Sequence, residues 1–132
     1  RGAGSSRNEV LNEIEPNDTE AHAQDIGSLR PGDRLEINGA LSGTDIDRFR
    51  TLPGSVVRLR IVIEHETTKD VDLGVLQVDP ATGNFTAVDA CTSSSNPEQC
   101  EVVLAARETQ LGLAEFNGES TPYRFTIEVF AP

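Results

Sequence analysis

The sequence predicts an all-β domain, a jelly-roll-like β-sandwich of about eight antiparallel strands with a short N-terminal helical turn. Three observations predict it. From Leu35 onward, apolar and polar residues alternate, the period-two signature of half-buried strands. Turn residues such as Pro53-Gly54, Asp79-Pro80 and Asn117-Gly118 punctuate these segments at short intervals. The chain has 132 residues, enough for one domain with one core. With 36% hydrophobic and only 5% aromatic residues, that core must be mostly Val, Leu and Ile.

Residues 1–12 are mostly Gly, Ser, Arg and Asn, with one apolar pair, Val10-Leu11, and read as a linker or disordered tail. The β-sandwich is expected over 13–132. Residues 19–24 read as one helical turn capped by Asn17 or Asp18. It ends by Gly27, and Ile26 and Leu29 are expected to plug the base of the core. After the turn at Arg30-Pro31-Gly32-Asp33, residues 35–41 read as the first strand and 45–52 as the second, with Phe49 inward.

Residues 55–65 give the clearest alternation, Val57, Leu59, Ile61 and Ile63 against Arg58, Arg60, Val62 and Glu64. Further strands are expected at 71–78, 84–90, 100–105 and 109–116. The last runs over 123–130, with Tyr123, Phe125, Ile127 and Val129 on its inner face. There is no internal repeat and no low-complexity tract.

Cys91 and Cys100 bracket a Ser/Asn/Pro-rich loop. That spacing can place them side by side on adjacent strands, so a disulfide is expected, and with it an extracellular or cell-envelope location. The alternative is two free thiols in a reducing compartment. No apolar run approaches the ~18 residues of a membrane helix. No secretory leader is recognisable, and residues 1–6 read as a processed end.

The net charge of −11 disfavours nucleic acid and anionic membranes as partners. Catalytic motifs are missing. His22 and His65 have no metalloprotease or zinc spacing and read as surface residues. There is no Gly-x-Ser-x-Gly elbow. The 22 acidic residues single out no catalytic pair, and no Trp is present to stack a sugar. The expectation is a chain that is not an enzyme. Asn17-Asp18-Thr19 and Asn84-Phe85-Thr86 match the glycosylation sequon, a short and frequent pattern.

The densest chemistry is Glu13-Ile14-Glu15-Pro16-Asn17-Asp18-Thr19. On an extended chain alternate side chains share a face, so Glu13, Glu15 and Asn17 point one way, and a turn can add Asp18. Asp45 and Asp47 follow in the second strand. Ca²⁺ takes six to eight oxygen ligands, which carboxylates and amides supply. The EF-hand pattern is absent. The bland alternative is a charged loop facing solvent. Asp70 and Asp72 have a bland reading too, as a turn cap at the start of a strand.

A series of short motifs falls in one order: Glu13-x-Glu-Pro-Asn-Asp-Thr19, Gly39-x-Leu41, Asp45-x-Asp47-x-Phe49, Pro53-Gly54, Asp70-x-Asp72-Leu73 and Tyr123-x-Phe125-x-Ile127. This order resembles the bacterial pre-peptidase C-terminal domain, which is similar to the collagen-binding domains of clostridial collagenases. The resemblance covers roughly residues 13–131. It implies a jelly-roll sandwich in a secreted or surface protein, accessory to an upstream catalytic or surface domain and not itself catalytic. It further implies Ca²⁺ ligands at Glu13, Glu15, Asn17 and Asp18, with Asp45 and Asp47 as local candidates to complete the site. The collagen-binding relatives use a surface tyrosine cluster, whereas this chain has one tyrosine, Tyr123, on an inward face. Collagen is therefore not the expected ligand. The functional expectation is a Ca²⁺-stabilised, monomeric accessory module. The alternative is a polysaccharide- or protein-binding surface module without a metal role.

Overall fold

The computed structural model describes residues 6–93 and 97–132. Residues 1–5 of the expected tail and 94–96 of the cysteine-bracketed loop lie outside the described residues. Ten strands are present: β1 (Asn8–Asn12), β2 (Gln24–Asp25), β3 (Arg34–Leu41), β4 (Ile46–Thr51), β5 (Val57–His65), β6 (Val71–Val78), β7 (Phe85–Cys91), β8 (Glu98–Leu104), β9 (Thr109–Glu115) and β10 (Thr121–Phe130). One 3₁₀ turn, Glu20–His22, stands between β1 and β2.

Two five-stranded sheets face each other, in the orders β1-β3-β10-β5-β8 and β2-β4-β9-β6-β7. From β3 to β10, every connection crosses from one sheet to the other except the β6–β7 hairpin. This is the jelly-roll order. Neighbours in sequence thus lie in opposite sheets, and the connections cluster at the two ends.

The alternation that predicts the strands also builds the core. On β5, Val57, Leu59, Ile61 and Ile63 are fully buried, and on β10, Tyr123, Phe125, Ile127 and Val129 are buried. Phe49 of β4 meets Phe125 of β10 across the two layers, ring centroids 5.9 Å apart. Ile26 and Leu29 are buried in the same cluster, as expected of plugs at its base. Burying each such side chain contributes about 1.5–3 kcal/mol, so the sandwich rests on this layer. A disulfide joins Cys91 at the end of β7 to Cys100 in β8, with a Cα–Cα distance of 6.1 Å. A disulfide fits an oxidising, extracytoplasmic compartment.

The eight predicted strands pair antiparallel, as expected; the N-terminal expectations need two corrections. Residues 8–12 are not tail but strand β1, paired parallel with β3, and a short further strand, β2, pairs parallel with β4. The helical turn is not capped by Asn17 or Asp18: its N-cap is Thr19, with no side-chain cap bond. Partners remote in sequence cause these differences. The Arg7 backbone N–H donates to Asp33 Oδ1 (2.9 Å), and its guanidinium donates to the Ile26 and Ser28 carbonyls at 2.7 and 2.8 Å. These bonds moor the start of β1, and Leu11 packs against the core.

Candidate metal centre

The site forms where two connections cross between the sheets at the same place. After β1, the Glu13 N–H still donates to Asn38 of the first sheet (2.8 Å). The chain then crosses to the second sheet, which it joins as β2. Along the way Arg48 of β4 donates its backbone N–H to the Asn17 carbonyl (3.0 Å) and its Nε to the Asp18 carbonyl (2.9 Å). Gln24 closes this crossover from the far side, accepting from the Ile14 N–H (2.8 Å) and donating to the Asn12 carbonyl (3.0 Å). The second connection is the β3–β4 turn, in which the Asp45 N–H donates to the Ser42 carbonyl (3.0 Å).

Carboxylate oxygens of Glu15, Asp18, Asp45 and Asp47 consequently lie within 4.8 Å of one another. Glu15 and Asp18 come from the first crossover, Asp45 from the turn and Asp47 from β4. Glu13 stands beside them, with its Oε1 accepting from the Ala40 N–H (3.3 Å) and its Oε2 from Asn17 Nδ2 (3.1 Å). Asn17 is fully buried rather than displayed on an open face. Its Oδ1 is buried and makes no hydrogen bond.

Asp47 is the unusual member. The β4 alternation gives it a core-facing position in line with Phe49 and Thr51, and it is fully buried. A carboxylate there costs several kcal/mol unless it is compensated. The Tyr123 hydroxyl donates to its Oδ2 at 2.6 Å, while its Oδ1 is buried without a partner. Tyr123 reaches it past Gly39, its cross-strand neighbour on β3. A Cβ at Gly39 would fall 2.5 Å from the Tyr123 hydroxyl oxygen and 2.6 Å from Glu13 Cβ. The missing side chain thus lets both residues approach. Neither Gly39 nor Tyr123 was legible as a site residue: glycine reads as a strand weak point and tyrosine as core. An acidic residue on the inward phase of β4 was the one available signal.

Crowded carboxylates titrate high. Contact with the Glu13 carboxyl, then burial, then Asp47, push Glu15 up to about 9. Burial raises Asp47 to about 7, against hydrogen bonds from Tyr123 and Glu15 that favour its charged form. Burial, then Asp18, raises Asp45. Burial, then Asp47, raises Tyr123, which stays a protonated donor at neutral pH. Glu15 and Asp47 therefore hold protons near neutral pH unless a cation compensates their charge.

The donors fit a hard cation. All are oxygens: four clustered carboxylates, Glu13 beside them, and a buried amide oxygen with no other partner. Such a set suits Ca²⁺ or Mg²⁺ rather than Zn²⁺ or copper, which prefer nitrogen and sulfur. The arrangement can therefore hold a metal ion.

No family model and no curated protein matches the sequence. Solved structures do match the fold. The pre-peptidase C-terminal domain of a Bacillus anthracis collagenase superposes with TM-score 0.61 at 15% identity, covering 81% of this chain and 93% of that one. The periplasmic g-type lysozyme inhibitor PliG of Aeromonas hydrophila gives 0.56 at 11% identity, covering 95% and 99%. The Yersinia pseudotuberculosis-derived mitogen gives 0.57 at 11% identity, covering 72% and 84%. The resemblance seen in the motifs thus extends to the fold. At these identities, fold is what the likeness shows.

Proposed function

We propose that this chain is a non-catalytic accessory module of the pre-peptidase C-terminal type, from a secreted or cell-envelope protein, and that Ca²⁺ bound at the crossover stabilises it. One observation carries the metal reading. Four carboxylates, from the β1–β2 crossover, the β3–β4 turn and β4, converge within 4.8 Å, and Asp47 among them and neighbouring Asn17 each keep a buried oxygen lacking a hydrogen-bond partner. An acidic loop facing solvent needs neither buried asparagine nor buried aspartate. Ca²⁺ suits the site better than Mg²⁺, because it accepts six to eight oxygens in irregular geometry whereas Mg²⁺ demands a near-octahedron.

The mechanism is linkage. An ion that binds only the folded form adds about 2.7 kcal/mol at a free concentration of a hundred times Kd. Because the ligands span the β1–β2 crossover and the β3–β4 turn, the ion ties the two sheets together at one edge. It also orders the crossover that follows β1; an upstream catalytic or surface domain of the same protein would attach ahead of that strand. The test is thermal unfolding with CaCl₂ and with chelator, for wild type and for Asp45→Asn. Wild type should melt higher with Ca²⁺, and the variant should lose most of that gain. Equal melting of wild type in both conditions would leave a metal-independent module that binds polysaccharide or protein.

A further inference from the structure

β1 and β10 flank β3 in the first sheet, β1 parallel to it and β10 antiparallel. The chain therefore enters the sandwich and leaves it at the same pole, where Asn8 and Glu128 both stand beside Arg34. The carboxylate cluster lies at the other pole. β3 starts at Arg34 beside the chain ends and finishes at Leu41, just before the turn that carries Asp45. Its 8 residues set the two poles about 25 Å apart.

One loop lies between entry and exit. Residues 52–56 join β4 of the second sheet to β5 of the first. On the entry side, the Arg7 guanidinium donates to the Ser28 carbonyl (2.8 Å), and the Ser28 hydroxyl donates to the Leu52 carbonyl (2.9 Å). On the exit side, Phe130 pairs with Arg58, two residues beyond Val56. The loop reads Leu-Pro-Gly-Ser-Val and carries no charge, in a chain of net charge −11. Leu52 is 57% exposed and Val56 45%. A single exposed Leu or Val is ordinary. The other exposed large apolar side chains fall one each to β1, the crossover, β7, β8 and the turn after β9. Only this loop carries two. Between the chain ends a cleft of about 460 Å³ opens, lined in part by Arg7, Pro31, Gly32, Phe130 and Ala131. Pro31 and Ala131 are exposed and extend the apolar surface.

We infer that this pole is a docking surface and that its occupant is the domain upstream of β1 in the same polypeptide, which packs an apolar patch of its own over Leu52 and Val56. The inference rests on the accessory-module reading above. Upstream sequence emerges at Arg7, which two successive hydrogen bonds connect to Leu52. A tethered domain is held at high effective concentration around the point where its tether emerges, so a small apolar patch there is enough to engage it. A partner arriving from solution has no such advantage and would need a larger surface. Docked in this way, the upstream domain leaves the carboxylate pole facing solvent, and metal binding and docking are independent.

Hydrogen–deuterium exchange tests it, on the full-length parent protein and on the 132-residue chain, which carries its own core. The N–H groups of Gly54, Ser55 and Val56 donate no hydrogen bond among the described residues, so in the chain alone they should exchange fast. In the parent they should exchange slower by about ten-fold or more. Leu52→Asp combined with Val56→Asp should abolish that protection. Both side chains are exposed, so the double variant should leave the melting temperature of the chain alone unchanged. Equal exchange in a parent whose upstream domain is folded overturns the inference and leaves the accessory-module reading standing. Protection that the double variant keeps also overturns it. So does protection that grows with concentration in the chain alone, which would make a second copy the occupant. A parent without a folded upstream domain overturns both readings. Protection in a parent that binds no Ca²⁺ supports this inference and fails only the metal reading.

Discussion

Without Ca²⁺, the domain should lose stability as the pH rises, with Asp47 as a principal cause. Asp47 is fully buried, and its folded-state pKa is about 7 against an ordinary 3.8. A raised carboxyl pKa means the folded state holds a proton that the unfolded state has released. That stability is fully present below the ordinary value and is lost as pH climbs through the folded one. Between about pH 5 and about pH 7, the slope of 1.36 kcal/mol per unit removes about 2–3 kcal/mol through this one group. For a domain of this size, that is about 10 °C in Tm. Glu15 shifts the same way but is solvent-exposed, and screening keeps its contribution small.

Asp47→Asn removes the titration while keeping an oxygen for the Tyr123 hydroxyl. In chelator, the variant should show a flatter pH dependence and at about pH 8 should be more stable than wild type by about 2 kcal/mol. With saturating CaCl₂ the order should invert, because wild type gains about 3–4 kcal/mol at hundreds of Kd and the variant gains little. Urea unfolding at several pH values, with chelator and with CaCl₂, measures both effects. Parallel pH profiles for the two proteins in chelator would refute the reasoning, since Asp47 would then not be a buried titrating group.

Gly39→Ala should cost about 1–3 kcal/mol by overpacking and weaken Ca²⁺ binding, because its Cβ collides with the Tyr123 hydroxyl and Glu13; paired melting and titration measurements check it. Tyr123 is the sole tyrosine and no Trp is present, so tyrosine fluorescence should change on Ca²⁺ binding as its acceptor Asp47 takes a cation; Asp45→Asn should suppress the change. Replacing Cys91 and Cys100 with Ser should cost about 2–3 kcal/mol in the chain-entropy model, read from denaturant midpoints of the double variant. Phe125→Ala should cost about 3–5 kcal/mol, because the ring is fully buried against Phe49.

Most of the eight strands from β3 to β10 were legible because they carry their own alternation, as Val57 to Ile63 does within one segment; β7, exposed along nearly all its length, was legible only between the turn at residues 79–83 and the cysteine-bracketed loop. β1 and β2 were not. Asn8–Asn12 has only Leu11 half-buried, and it is held as a strand by β3 and by Arg7 bonds to residues 19 to 26 positions away. Gln24–Asp25 is two residues long and owes its strand state to β4. The acidic stretch and the Asp45/Asp47 pair were legible as oxygen donors, since their composition and spacing are local. Where each oxygen sits was not. Asn17 lies buried, so its sequon offers no exposed asparagine. Tyr123 and Asp47 meet across a separation of 76 residues that no local pattern reports.

The central claim is that the carboxylates gathered by the two crossovers bind Ca²⁺. Calorimetric titration of chelator-stripped protein tests it most directly, with Asp45→Asn as control. The predicted result is a saturable event at the crossover site that releases protons as Ca²⁺ displaces them from Glu15 and Asp47, and that Asp45→Asn weakens at least ten-fold. No heat above dilution, or a tight event that Asp45→Asn leaves unchanged, would contradict it.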